Sequence, residues 1–518
     1  MSRTQNIKKN LIFNLIKFVI NLLLQFVLRT ILIYYMGKEY LGLNGLFSNI
    51  FNVLNLAELG VGSAIVCSMY KPIADNDIEK IKSLENLYKS FYILISIIVT
   101  FVGLLLTPFI KCFMNGGISV NINIYILYIM YLVYTLVGYW SAHKRSLLFA
   151  YQRNDVENKI KTICIVGMTI VQIIVLVIFR NYYIYFSASI LFTLIECILI
   201  QVYANKLFPD IRGKAQPLDK DTKITIRKNV GALSIHKISN VVVFSTDQIL
   251  ISSFLGISVL GVYSNYYLVT STIGSIFVLL FNSFSASVGD LMVRKDINYN
   301  FEKFKMINFV FSFLSSFCTI CCIILLQPFM LKWTSDPSYL LDMSTILAIC
   351  LSMYFSRMRQ SVLLFKESGG YYKQDVIRPV IEVLINLISS IILVKIMGLI
   401  GIFIGTILST LLGPFISEPY VLYKHYFKKP VGKYFIRYAI DFAIMCAVCV
   451  ITYFICSFIP DGSIWLLIAK FAVCILISAS LLVLAYLPTK EFKELWAMAK
   501  GMLSRCFKKK DKSSGEQE

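Results

Sequence analysis

The residues with chemistry to offer gather in one apolar run. In NLIFNLIKFVINLLLQFVLR, residues 10–29, Asn10, Asn14, Lys17, Asn21, Gln25 and Arg29 recur at every third or fourth position. That is the period of an α-helix, so all six share one stripe. Lys17 and Arg29 are full cations, and amides both donate and accept hydrogen bonds, a set suited to receiving an anion and hydroxyls. A charge at mid-bilayer costs at least about 2–3 kcal/mol, so it rarely faces lipid. A second stripe lies in GALSIHKISNVVVFSTDQILISSFLG, residues 231–256, with Ser234, His236, Lys237, Asn240, Asp247 and Gln248.

Plainer roles compete with anion binding. Lys17 and Arg29 each lie about two turns from a helix end, within snorkelling reach of headgroups. Asn and Ser also join helices by hydrogen bonds. Asp247 has Lys237, Arg29 and Lys17 as candidate partners, and His236 reads equally as a satisfied bundle histidine. Glu58, Glu196, Glu382, Asp441 and Lys470 are single charges that the sequence leaves unplaced. Arg357, Arg359 and Lys366 read as topology signals near the inner end of the tenth span, or as guards of a cavity mouth.

These stripes must be held by many spans. Of 518 residues, 57% are hydrophobic and 15% charged, against roughly one-quarter charged in soluble proteins, and mean hydropathy is +0.72. The net charge of +21 sits in short loops, which excludes nucleic-acid binding as its explanation and fits the positive-inside rule. The cysteines lie mostly within apolar runs and lack metal spacing, so neither disulfides nor metal are expected. No phosphate-cradling glycine motif, nucleophile elbow or large polar loop is present for an enzyme, and no cofactor is expected.

Runs of about twenty residues mark spans near 11–36, 41–68, 88–111, 122–142, 158–179, 183–207, 229–254, 259–289, 303–330, 339–364, 376–396, 399–424, 434–459 and 463–487. The expectation is an all-α polytopic membrane protein of about fourteen transmembrane helices. The basic N-terminus leads into a run too long for a signal-peptide core and is expected to remain as the first span. Lys and Arg cluster in alternate loops, for example Lys144, Arg145, Arg153 and later Lys424, Lys428, Lys429, which places both termini in the cytoplasm.

The longest hydrophilic connector is residues 208–229, and the chain on its two sides is related. A shift of 219 residues carries Lys9 onto Lys228, Asn10 onto Asn229, Asn21 onto Asn240, Gly37 onto Gly256 and Leu41-Gly42 onto Leu260-Gly261. Both copies start on one membrane side, which makes the repeat parallel. The organisation expected is a six-helix bundle over 1–210, a linker over 211–228, a pseudo-symmetric six-helix bundle over 229–427, two further helices over 428–490 and a basic tail over 491–518. The polar helices are the first two of each half; the second span carries Asn44, Ser48, Asn52 and Asn55, and the eighth carries Asn265, Ser271, Thr272, Ser275 and Asn282.

STDQILISSFLGISVLGVYSNYYLVTSTIG, residues 245–274, resembles the seventh and eighth helices of bacterial polysaccharide export proteins. These include the Wzx-type flippases for lipid-linked oligosaccharides, in the superfamily that also holds multidrug-and-toxin extruders and the lipid II flippase. YYMGKEYLGLNGLFSNI and LNLAELGVGSAI are similar to the first-half counterpart. The resemblance implies two bundles in a V, alternating access, and a cavity whose cations attract the diphosphate and acidic sugars of an undecaprenyl-linked glycan. Lys17, Arg29, His236 and Lys237 match the cation positions. Asn14, Asn21, Gln25, Asn240 and Gln248 would line the cavity with them, and Asp247 and Glu58 would couple an ion or pair a charge. The implied activity is a flippase of the bacterial cytoplasmic membrane serving surface polysaccharide synthesis. Its partners would be the lipid-linked oligosaccharide, membrane lipids, and a polysaccharide polymerase with glycosyltransferases. The alternatives are a cation-coupled multidrug extruder of the same superfamily and a membrane polymerase or glycosyltransferase.

Overall fold

The computed structural model describes residues 3–55, 61–211, 218, 245–371, 373–375, 377–460, 462–498 and 500–501, with backbone alone over 3–17 and at 61, 63, 64, 67, 286 and 373. Among the described residues there is no strand, and eleven helices are long and apolar enough to cross a membrane. The protein is a multi-pass, all-helical membrane protein. Four expected spans differ from a single long helix, one of them 399–424, which divides at Gly413 into Leu399–Leu412 and Pro414–Leu422. Residues 41–68 fall on α2 (Lys38–Leu54) and α3 (Val61–Ala74), with 56–60 outside the described residues. Most of 229–254 is likewise outside them, leaving α9 over 245–255. The span at 339–364 is broken at Arg359 into α12 (Met343–Met358) and α13 (Gln360–Ser368).

The remaining helices follow apolar runs between capping residues. They are α1 (Arg3–Met36), α4 (Ile78–Leu106), α5 (Ile124–Tyr139), α6 (Ala142–Ala150), α7 (Asn154–Phe179) and α8 (Tyr182–Leu207). After α9 come α10 (Ile257–Arg294), α11 (Ile297–Thr334), α14 (Arg378–Met397), α15 (Leu399–Leu412), α16 (Pro414–Leu422), α17 (Gly432–Ser457) and α18 (Ile464–Tyr486). Asn123 and Asn181 start α5 and α8 by accepting two backbone N–H groups each, as N-caps do. The apolar residues that α4 leaves exposed, such as Ile97 at 60% and Phe101 at 69%, need a lipid solvent.

The chain divides into two compact units. One holds Met1–Asn265 with Ser390–Ile402; the other holds Tyr266–Ser389 with Phe403–Glu518. In the first, Phe47 and Phe51 of α2 pack on Tyr128 and Tyr131 of α5, and Tyr131 stacks on Phe186 of α8 at 3.9 Å. In the second, α11 is the axial helix. Its buried Ser312, Ser315, Ser316 and Thr319 permit the close approach that membrane helices need. The last two helices belong to this core. Asp441 of α17 accepts hydrogen bonds from Ser312 of α11 at 2.9 Å and Tyr486 of α18 at 3.1 Å, and pairs with Arg437 at 3.1 Å.

The repeat offset of 219 reappears as geometry inside the first unit. Gly37 and Gly256 occupy matching turns with φ of +81° and +97°, a region glycine adopts without Cβ strain. One turn later the backbones meet. A Cβ on Gly42 would lie 2.0 Å from the Ile257 carbonyl oxygen, and a Cβ on Gly261 would lie 1.8 Å from that of Lys38. Adding 219 to 38 and 42 yields 257 and 261, so the two contacts are mates under one pseudo-two-fold.

Neither contact has room for a methyl group. Gly42→Ala and Gly261→Ala should each lower the thermal stability of the purified protein by about 1–3 kcal/mol and by similar amounts. Gly138→Ala, whose Cβ meets nothing within 4 Å, should stay within about 0.5 kcal/mol. Equal melting temperatures for all three variants would show that the turns are not packed this way.

Candidate functional site

α1 is helical throughout the polar stripe, so Asn10 to Arg29 do share one face. Arg29 donates from Nε to Asn265 Oδ1 at 2.8 Å and from Nη2 to Ser264 Oγ, both on the first turns of α10. It also lies in electrostatic reach of the buried hydroxyls of Tyr182 and Tyr185. Arg29 therefore binds protein rather than reaching for headgroups. Asn21 is half-buried, with an Oδ1 that accepts no hydrogen bond from the described residues, and Gln25 is exposed.

The repeat organises this contact too. Arg29 and Gln248 are mates under the offset, and so are Gly45 and Ser264. Arg29 meets Ser264, while Gln248 Oε1 lies 3.5 Å from where a Cβ on Gly45 would stand. One half thus places a cation where the other places a neutral amide. Ser264 escaped the sequence reading, although carrying the offset from Gly45 leads to it. Asp247 and Gln248 are both buried on α9. His236, Lys237, Asn240 and Glu58 lie outside the described residues, as do the side chains of Lys17 and Asn14.

The rest of the polar face divides between ties to other helices and bonds within its own helix. Asn44 Oδ1 of α2 accepts from Tyr131 at 2.6 Å, and Oδ1 of Asn55, the residue that ends α2, accepts from Tyr139, both tyrosines on α5. On α10, Ser271, Thr272 and Ser275 donate to carbonyls three or four residues back along the same helix. Glu39, at the α1–α2 turn ahead of the second span, accepts from Ser119 Oγ at 2.7 Å, Ser119 N–H at 2.9 Å, Val120 N–H at 3.1 Å and Ser258 Oγ at 3.5 Å. Partial burial pushes its carboxyl up, but these hydrogen bonds outweigh that and hold it below the ordinary glutamate range.

The second unit holds a buried charge network. Arg359, at the α12–α13 break, grips Glu418 with Nε at 3.1 Å and Nη2 at 2.9 Å, and Glu382 with Nη1 at 3.2 Å. Lys366 pairs with Asp375, and Arg378 with Asp375 at 3.0 Å and Glu382 at 2.6 Å. Three cations thus meet three carboxylates. Arg359 and Lys366 are internal struts rather than loop charges that report topology. Glu382 and Asp441 find partners in this unit, and Glu196 pairs with Arg145 at 3.0 Å in the first. Glu418, which the sequence reading passed over, is fully buried at the centre of the network.

The profile of the polysaccharide biosynthesis protein family matches residues 7–285, more than half of the chain. The chain belongs to that family. No curated protein matches it. Among solved structures, this family member is similar to the lipid II flippase MurJ in an inward closed conformation. The TM-score is 0.61 at 18% identity, over 92% of this chain and 98% of that one. It is also similar to an inward-facing multidrug resistance MATE family transporter of the MOP superfamily, with a TM-score of 0.59 at 12% identity, over 79% and 94% of the two chains. A MOP superfamily transporter from Pyrococcus furiosus follows at 0.51 and 14%, over 80% and 95%. The fold is thus that of flippase-like MOP transporters.

Two outcomes test the family member's charged contacts. Glu39 is stabilising where its carboxyl is ionised, because its folded value lies below its unfolded one; that contribution is lost as pH falls through the folded value. The melting-temperature gap between wild type and Glu39→Gln should therefore be open at pH 7 and close below about pH 4. A gap that persists in acid would refute it. Glu418→Gln, which leaves buried cations short of an anion, should cost about 3–5 kcal/mol in urea or thermal unfolding. Glu79→Gln, in an exposed pair with Lys82 at 2.9 Å, should cost under about 1 kcal/mol.

Proposed function

We propose that the protein is a flippase that carries an undecaprenyl-diphosphate-linked oligosaccharide from the inner to the outer leaflet of a bacterial cytoplasmic membrane. The glycan would then feed a surface polysaccharide, with a polymerase and glycosyltransferases as partners. In this reading the termini are cytoplasmic, and residues 1–210 and 229–427 form the two bundles around linker 211–228. Residues 428–490 add two helices to the second, and 491–518 form a basic tail.

The observation that carries the proposal is Arg29, an intramembrane guanidinium held by two side-chain oxygens at the repeat junction. A diphosphate with sugars cannot enter hydrocarbon without replacement of its hydration. A cation on a polar stripe supplies that replacement, with amides such as Asn14, Asn21, Gln25, Asn240 and Gln248 for hydroxyls and Lys17, His236 and Lys237 as further positive groups. An anion that takes Arg29 from Ser264 and Asn265 loosens the tie between α1 and α10. Loading would then favour opening at the Gly42 and Gly261 turns, which is alternating access driven by differential binding.

Asp247, buried on α9, favours a second reading as a cation-coupled multidrug extruder, with Glu58 as its acidic companion. The two are separated in a strain deleted for the gene. The flippase reading expects lost surface polysaccharide and accumulation of the lipid-linked intermediate on the inner leaflet, with Arg29→Ala restoring about a tenth or less of wild-type polymer. Intact polymer with a new sensitivity to cationic drugs, reproduced by Asp247→Asn, would overturn it.

A further inference from the structure

Arg357 of α12 sits two residues before Arg359, yet its environment is the opposite. Arg359 has two carboxylates, at 2.9 and 3.2 Å. Among the described residues Arg357 has no ion pair; Tyr267 and Arg359, the latter of like sign, are the groups that act on it electrostatically. Its Nε is buried and has no acceptor among the described residues. The guanidinium lies over the Phe277 ring at 5.9 Å. It also occupies space that only a glycine leaves open, since a Cβ on Gly274 would stand 2.5 Å from Nη2. Ser271 lies one turn before Gly274 on α10. Arginine cannot shed its proton to escape burial, so a guanidinium inside a membrane protein needs an anion or oxygen acceptors. The aromatic ring and the cleared glycine offer its donor fork no acceptor among the described residues.

We propose that Arg357 is an anion-binding residue of the second unit, whose partner is a phosphate oxygen of the lipid-linked diphosphate. The proposal rests on the flippase reading and adds a cation on α12 that the stripes of the first and seventh spans do not include. A planar donor fork matches two oxygens of one phosphate. Gly274 admits the guanidinium, and Phe277 holds its plane by cation–π contact.

The test uses the purified full chain in lipid nanodiscs, with undecaprenyl diphosphate, undecaprenyl monophosphate and phosphatidylglycerol as probes in a binding titration. Wild type should prefer the diphosphate. Arg357→Gln should weaken diphosphate binding about tenfold or more, with Arg357→Lys in between, and leave phosphatidylglycerol binding unchanged. Removing a cation that has no ion pair among the described residues should lower the melting temperature far less than Arg359→Gln does. If Arg357→Gln binds the diphosphate as wild type does, the assignment of Arg357 falls and the flippase reading stands. If it loses phosphatidylglycerol equally, the partner is a membrane phospholipid and the proposal is overturned. If wild type shows no preference for the diphosphate, the flippase reading falls together with it. Should Arg357→Gln prove unstable, the lysine variant decides: a stable fold with weakened diphosphate binding supports the role, and unchanged affinity rejects it.

Discussion

A bilayer has no water to offer, so every polar group carried into it must be satisfied by the protein or its cargo. This constraint explains the arrangement of both units. Asn44 of α2 and Asn55 at its end are satisfied by tyrosines of α5, Asp441 by α11 and α18, and Arg359 by two glutamates. These residues tie neighbouring helices together, and their positions fix helix against helix. Arg29 and Arg357 stand out because one is held by side-chain oxygens at a junction and the other by an aromatic face.

The junction near Gly42 and Gly261 shows the repeat as a pair of matched close contacts. Two backbones that approach within glycine distance form a contact with no tolerance for intermediate spacing, so it is either packed or parted. Arg29 spans the same contact one helix further in, where its repeat mate is the uncharged Gln248. The two halves therefore share a shape and differ in charge. Under the proposed flippase function, the shared shape would serve the switch between two packings and the charge difference would serve recognition of an anion.

Legibility in the sequence followed the range of the interaction. The helical stripe of α1, the Gly37 and Gly256 turns and the apolar spans depend on neighbours within a few residues, and periodicity exposes them. The polar residues of α2 were visible as a stripe, but not that α5 tyrosines would consume it. Arg357 and Arg359 looked alike as loop-side cations. Two residues on a helix point roughly 200° apart, so one faces the carboxylates of α14 and α16 and the other faces α10. Glu418 was overlooked because its partners lie 59 residues away at Arg359 and in a separate helix at Arg378.

What the sequence determined by itself is the class of the molecule, a polytopic all-α membrane protein, and the helical stripe that carries Asn21, Gln25 and Arg29. Hydropathy and period suffice for these, because each is a property of one helix in its solvent. What the tertiary structure alone decided is which polar groups are already spent. Satisfaction is a pairwise property, set when helices from distant parts of the chain take their register. Packing used up Arg359, Asn44 and Asp441, joined Arg29 to Ser264 and Asn265, and left Arg357 against Phe277 and Gly274.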